Sequence, residues 1–542
     1  MIYEEKTKSN KVYISVAIIL LAIMFAPVYL GMQELFSDEG FYLAAVREMD
    51  QFPPLVKTQG EIGYGCYPFY PYLVRLLYDA GVPMITALRL IPCICLLILA
   101  GIIFLIAWKA KNLTAGVVGV SALLINFLTI EKFSTGNPVL LGTLGVFSTW
   151  IVWYTVGIWR NKWKLAWILS FLLAGLTFYT IGFTGLLLII FPMLFHRRPL
   201  MIWTKPRGKA FLSGVIILIL FILLWGIPRW SLPESPVFER TTFVFPSIGD
   251  YFIHLLTFPF DAAIRFMPWM LFAWAPFCPA LVSLDENPIL SRYLRTLFLG
   301  TFAILWLSPL TQSRDIFFMI PPLAILVALN YWIVVRRYGW RLLKLSEIAS
   351  AVLFLFCTAA FCYYLIPREY HPGLITDYLH SVEHSPYRIP GIIASGIGIF
   401  LSGTAFIMSL CGARIWLTII ILFGAVVIPY RGVVIPYQNL FKHKEYIGRT
   451  FRNTIPEKKT PEIVYKMRDI PPYYNEMHYF DIKLKTIGSA EELPAEEPVV
   501  YVFSSVVPSA PDRTWQRLHM LSRYNSRLEL WRGKLKTEEE YE

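Results

Sequence analysis

Charge is scarce in this sequence: only 16% of its 542 residues are Asp, Glu, Lys or Arg, against about a quarter in soluble globular domains. That shortage excludes a soluble globular chain, and a 56% hydrophobic share with a mean hydropathy of +0.54 excludes it again. Cysteine is sparse too. Six of the seven cysteines lie in or beside long apolar runs and only Cys66 falls in a polar connection, so neither a disulfide framework nor a cysteine zinc site follows. The chain has no internal repeat, no low-complexity tract and no HExxH pair, and it lacks the ten-residue alternating segments of a membrane barrel. The first apolar run carries no small-residue cleavage site and further apolar runs follow it, so it reads as a retained span.

What is there instead is a series of apolar runs, each close to the length a helix needs to cross about 30 Å of hydrocarbon. Thirteen spans are expected, near residues 12–30, 86–108, 114–130, 138–158, 165–180, 183–195, 210–227, 266–284, 296–310, 316–335, 346–366, 390–410 and 415–429. With the N-terminus placed in the cytoplasm, twenty Lys and Arg fall in the inside connections and ten in the much longer outside ones up to residue 429. This asymmetry is the positive-inside pattern, and it puts the C-terminal segment outside. It also accounts for the net charge of +12 without nucleic acid as a partner. An integral inner-membrane protein is expected, with a transmembrane domain over residues 1–429 and an extracytoplasmic domain over 430–542.

Three outside segments are too long to be mere connectors: 31–85, 228–265 and 430–542. FYLAAVREM and YPYLVRLLYDAG in the first, and FPSIGDYFIHLLTFPFDAAIRF in the second, space apolar residues as interfacial helices do. From residue 430 the composition turns charged and Pro-rich, and VVYVFSS alternates like a strand, so a small mixed α/β domain is expected there.

Asp38 and Glu39 follow the first apolar run directly. Carboxylates near hydrocarbon are costly and imply a partner, a wet cavity or a task. The plainest explanation is local: Ser37 or Asp38 as N-cap of the FYLAAVREM helix, with Glu39 in its first turn. Glu131 and Lys132 read as a loop ion pair of little consequence. Arg314 reads either as an interface anchor paired with Asp315 or as a cation available to a ligand. His380 and His384 share a helical spacing but sit in a solvated loop, and a divalent metal on the first-loop carboxylates stays possible without an assigned site.

The run SDEGFYLAAVREM resembles the first outside-loop signature of the polyprenyl-phosphate-dependent glycosyltransferases of GT-C type, in particular the bacterial lipid A aminoarabinose transferases and the protein O-mannosyltransferases. YPFYPYLVRLLYDAG at 67–81, FMPWMLFAWAP at 266–276 and SRDIFFMIPPLAIL at 313–326 are similar to later segments of that family in the same order. The resemblance implies transfer of a sugar from a polyprenyl phosphate to a lipid, glycan or protein acceptor on the outer face. It implies Asp38 as general base for the acceptor hydroxyl, with Glu39 as alternative base or orienting residue. For the leaving phosphate it implies cations, here sought among Arg314, Lys57, Arg75 and Arg265, with Lys132 a further outside cation. Asn137, Tyr42 and Tyr67 are the expected contacts to acceptor or sugar.

The departures from the family are specific. Its second acid falls on Asn137 of STGNPVLL, and two lysines fall on about Tyr67 and Ile181. Asparagine cannot take a proton at neutral pH. A degenerate, catalytically altered or non-enzymatic chain of the same fold, which binds or transports a lipid-linked sugar, is therefore the rival expectation.

Overall fold

A computed structural model describes residues 10–26, 30–31, 33–49, 56–62, 67–196, 200, 202, 205, 208–230, 247–365, 388–431, 443–456, 461–468, 470–523 and 526–536. The molecule is mostly helical, with several apolar helices and a small C-terminal sheet. Among the described residues, seven helices are long and apolar enough to cross a bilayer, or eight if the bent pair Ile248–Arg265 and Met270–Phe277 counts as one. Four shorter apolar helices, Val12–Met24, Leu113–Leu124, Phe183–Leu194 and Ile415–Pro429, pack among them.

Two expected spans and one expected connection take a different form. Residues 266–284 do not make one helix but three short helical pieces, Met270–Ala273, Ala275–Phe277 and Pro279–Val282. Pro268, Pro276 and Pro279 each remove a backbone N–H that a continuous helix would need. The run 114–130 divides into Leu113–Leu124 and Phe127–Lys132, where Asn126 caps the second piece by accepting from the Thr129 amide at 2.8 Å. The connection expected as a loop at 336–345 is itself helical, inside a run from Ile320 to Leu365. It contains no proline, and Arg, Leu and Lys there all favour helix. His371, His380, His384 and Cys66 lie outside the described residues.

The expected interfacial helices form at Glu39–Arg47, Phe69–Asp79 and Ile248–Arg265. Between the first two lies a hairpin of β1 (Lys57–Thr58) and β2 (Glu61–Ile62). Its turn residues Gln59 and Gly60 both have positive φ, 54° and 79°, as the tight hairpin turn that matches strand twist requires. The Glu48 carboxylate accepts from both turn amides.

The C-terminal sheet holds β3 (Ile463–Met467), β4 (Lys483–Ile487), β5 (Val499–Ser504), β6 (Arg513–Arg523) and β7 (Ser526–Leu535) in the order β4-β3-β5-β7-β6. β3 pairs in parallel with β4 and β5, while β7 runs antiparallel to β5 and β6. The alternation in VVYVFSS sorts two apolar faces rather than an apolar and a wet one. Val500 and Val502 join one core, Tyr501 and Phe503 the other, so the central strand is covered on both sides.

This C-terminal segment docks on the first loop. Its short helix Tyr474–Phe480 lies against Glu39–Arg47, with Arg47 and Asp481 paired at 2.9 Å and the rings of Phe41 and Tyr474 edge to face at 5.2 Å. The hairpin turn meets the edge of the sheet, where the Thr486 amide donates to Gln59 O at 2.9 Å. Approach is tight at Gly40, where an added Cβ would lie 2.5 Å from the backbone of Tyr474 and Asn475. Backbone cannot swing aside as a flexible side chain can, so Gly40→Ala is expected to pry the two segments apart at a cost of about 1–3 kcal/mol. A lower thermal midpoint together with faster protease cleavage around residue 475 would register this.

His478, on the same short helix, gives the contact a pH dependence. Burial, reinforced by the positive charge of Arg47, pushes its pKa down to about 3 from an ordinary 6.5. The unfolded chain then binds the extra proton between those values and the folded chain does not. Stability is complete above about pH 6.5 and declines by about 1.4 kcal/mol per pH unit as pH falls toward 3. Thermal midpoints at pH 7 and pH 5 check this, and His478→Gln is expected to flatten the difference.

Candidate functional site

Three stretches far apart in sequence converge on one cavity of about 100 Å³, room for several water molecules. Its lining comes from the first loop (Phe36–Glu39), from Lys132 and Thr135–Asn137, and from Gln312–Arg314. In each of these stretches a turn leads into or out of a helix, and so a polar side chain is carried to one end of the bundle.

Asp38 precedes the Glu39–Arg47 helix, but its side chain makes no cap bond. The carboxylate instead faces the cavity, where Arg314 Nη1 donates to Oδ2 at 2.7 Å. The side chain of Asp38 is 47% exposed and that of Arg314 22%, so solvent reaches the pair and a ligand can compete for it. The local-cap explanation of Asp38 therefore fails, and so does the pairing of Arg314 with Asp315. Asp315 Oδ2 accepts from the Gln312 amide at 2.8 Å and caps the turn Ser313–Met319.

Glu39 is placed quite differently from its neighbour. It is 2% exposed and Arg89 is 1% exposed. Arg89 grips it with two parallel bonds, Nε to Oε1 at 2.9 Å and Nη2 to Oε2 at 2.6 Å. The amides of Phe36 and Gly136 supply two more donors, at 2.8 and 2.6 Å. Four donors leave Glu39 little capacity to accept a further proton. Arg89 spends its remaining donors on the carbonyls of Leu30, Gln33 and Glu34, so one side chain ties down the loop ahead of Asp38. Sequence reasoning missed Arg89. Its one signal was a charge inside an otherwise apolar run, which calls for a buried partner.

Of the four cations sought for a phosphate, only Arg314 reaches the cavity. Lys57 is exposed on the hairpin, and Arg75 pairs with Asp79 one turn along its own helix at 2.9 Å. Arg265 bonds to Asp261 and to Glu131 Oε2, each at 2.9 Å. Glu131 also holds Lys132 at 2.8 Å, and Lys132 lines the cavity over the ring of Phe36. Burial opposes the charge on Glu131, but its bonds to Lys132 and Arg265 win and hold the carboxyl below the ordinary range. The pair read as a loop feature thus fixes a cation in the cavity wall.

Asn137 lines the cavity, though its polar atoms are used locally: Nδ2 donates to Thr135 Oγ1 at 2.7 Å, and Oδ1 accepts from the Val139 amide at 3.1 Å. Tyr42 is not brought to the cavity and packs edge to face on Tyr70 within the core. Tyr67 stacks on Trp225 at 5.7 Å. Its ring lies against Gly182, where φ is +68° and an added Cβ would fall 1.8 Å from the tyrosine hydroxyl. The two positions that carry lysine in the resembled family, about 67 and 181, are therefore neighbours here, and neither holds a cation. Among the described residues no group of three or more His, Cys, Asp or Glu is arranged to hold a metal ion.

No family model matches the sequence, and no curated protein sequence does. Solved structures do match. That of ArnT from Cupriavidus metallidurans in the apo state superposes with a TM-score of 0.65 at 14% identity, over 97% of this chain and 98% of that one. ArnT from the same organism bound to undecaprenyl phosphate gives 0.65 at 16% identity over the same shares. An oligosaccharyltransferase from Archaeoglobus fulgidus in the apo form matches at a TM-score of 0.43 and 10% identity, over 90% of this chain and 65% of that one. The resemblance to the aminoarabinose transferases holds as a likeness of fold along nearly the whole chain.

Proposed function

From a fold shared with a lipid A aminoarabinose transferase, we propose that this chain is a membrane glycosyltransferase that moves a sugar from a polyprenyl-phosphate donor to a lipid, glycan or protein hydroxyl. The observation that carries the reading is the Asp38–Arg314 contact of 2.7 Å at the wall of a cavity. It sets a carboxylate able to take a proton beside a guanidinium able to fork onto phosphate. In this reading thirteen spans place the N-terminus in the cytoplasm and residues 430–542 outside as a separate domain. The helical run Ser313–Leu365 then crosses twice, and each shorter apolar helix crosses once.

The donor phosphate takes Arg314 away from Asp38, with Lys132 as a second cation, and so frees the carboxylate. The acceptor hydroxyl oxygen then attacks the anomeric carbon while its proton passes to Asp38. The bond from that carbon to the phosphate oxygen breaks, and the leaving phosphate keeps the electron pair, stabilised by Arg314. Glu39 and Arg89 hold the loop and take no proton.

The purified full chain is expected to transfer label from an undecaprenyl-phosphate-linked sugar to an acceptor lipid or glycan. Arg314→Ala is expected to weaken binding of undecaprenyl phosphate by about 10- to 100-fold, the worth of a hydrogen bond to a charged group. The rival, a lipid-phosphate binder without turnover, draws support from the locally committed Asn137 and from the tyrosine and isoleucine at positions 67 and 181, where the resembled family has lysine. It predicts the same binding loss in Arg314→Ala with no transfer from any donor.

A further inference from the structure

A helix that begins just after an aspartate ordinarily has that carboxylate turned back on it, accepting from the second or third amide of the first turn. Asp38 occupies that cap position before the Glu39–Arg47 helix, and its side chain makes no such bond. The amide that such a cap would take is occupied by a residue 435 positions along the chain. The Gly40 amide, second in the helix, donates to Asn475 Oδ1 at 2.9 Å. From the same side chain, Asn475 Nδ2 donates to Ser37 O at 2.8 Å. A backbone amide can only donate and a carbonyl can only accept, so the orientation of the Asn475 amide is dictated by its partners. The two bonds bracket the acid pair on either side. They also brace Ser37 at φ 51°, the left-handed region that a residue with a Cβ enters at a cost.

We infer that Asn475 is a positioning residue: by capping the helix in place of Asp38, it leaves the Asp38 carboxylate free to face the cavity and Arg314. This rests on the transferase reading for its consequence in turnover, but not for its consequence in structure. Without an acceptor at residue 475, the unsatisfied Gly40 amide lies within one turn of a carboxylate, and Asp38 rotates onto it. Alanine removes both bonds, whereas aspartate keeps the acceptor for Gly40 and loses the donor to Ser37.

Asn475→Ala in the full-length chain is expected to lower turnover about 10- to 100-fold, with undecaprenyl phosphate binding within about twofold of the parent. Asn475→Asp is expected to recover part of that loss. A cryo-electron-microscopy structure of Asn475→Ala is expected to show the Asp38 carboxylate on the Gly40 amide and away from Arg314. Asp38 still on Arg314 in that structure, or turnover within twofold of the parent, overturns the inference. So does a loss of turnover matched by an equal loss of lipid binding, the mark of general damage. Should the alanine protein fail to fold, the aspartate variant decides: turnover no better than one-hundredth of the parent overturns the inference. If the parent chain transfers no sugar at all, the transferase reading falls, and the position of Asp38 in the variant structure still decides the role of Asn475.

Discussion

Arg89→Ala should lower the unfolding free energy by about 3–5 kcal/mol, the cost of removing one member of a buried ion pair and stranding the other. Glu39 would keep its amide donors from Phe36 and Gly136 but carry an uncompensated charge at 2% exposure. The effect should exceed that of cutting a surface pair such as Arg75–Asp79, worth about 0–1 kcal/mol. Three carbonyls would lose their donors at the same time, so the loop should loosen as well as the fold weaken. Chemical denaturation in detergent, beside Arg75→Ala as the surface control, measures the first effect. Proteolysis within residues 30–36 measures the second. Arg89→Met with Glu39→Gln should be milder than Arg89→Ala alone, because the buried charge is gone. If the single variant proves as stable as the parent, the pair is not what anchors the loop.

Asp38→Asn is expected to reduce turnover by about 10²- to 10⁴-fold, the usual contribution of a general base. The amide is nearly isosteric, so the cavity keeps its shape while the proton acceptor is lost. Binding provides the sharper measurement. Arg314 is held by Asp38 at 2.7 Å in the free protein, and a phosphate has to displace that carboxylate. Removing the competitor should leave undecaprenyl phosphate binding undiminished or tighter while turnover collapses. Damage to the whole site would weaken both. Full turnover in Asp38→Asn would remove it as the base.

How much of this was legible in the sequence depended on whether a residue's neighbours were local. Asp38 and Arg314 are 276 positions apart; both stood at the ends of apolar runs assigned to one side of the membrane, and the family resemblance, which implies a base and a phosphate-holding cation, suggested that they share a site. The same reasoning assigned Lys57 and Arg75 a side but said nothing of the direction in which they point. Both are held on small local elements, a hairpin and an amphipathic helix, that turn them away from the cavity. Proline at 268, 276 and 279 was a visible warning against an unbroken helix over 266–284, and hydropathy alone outweighed it. Arg89 was visible as a lone charge in a span, although nothing nearby named Glu39 as its partner. Asn475 offered no signal, since its two bonds reach a loop that only the folded chain brings near.

That last contact has a consequence for biosynthesis. Ribosomes add about 5–20 residues per second, so roughly 20–90 s separate the emergence of Gly40 from that of Asn475, its partner 435 residues later. During that interval the loop with the acid pair waits for a neighbour not yet made. The earliest polar loop of the nascent chain is thus among the last parts to reach its final form. A premature stop between residues 430 and 475 would keep every apolar helix among the described residues and leave the acid pair without its Asn475 bonds.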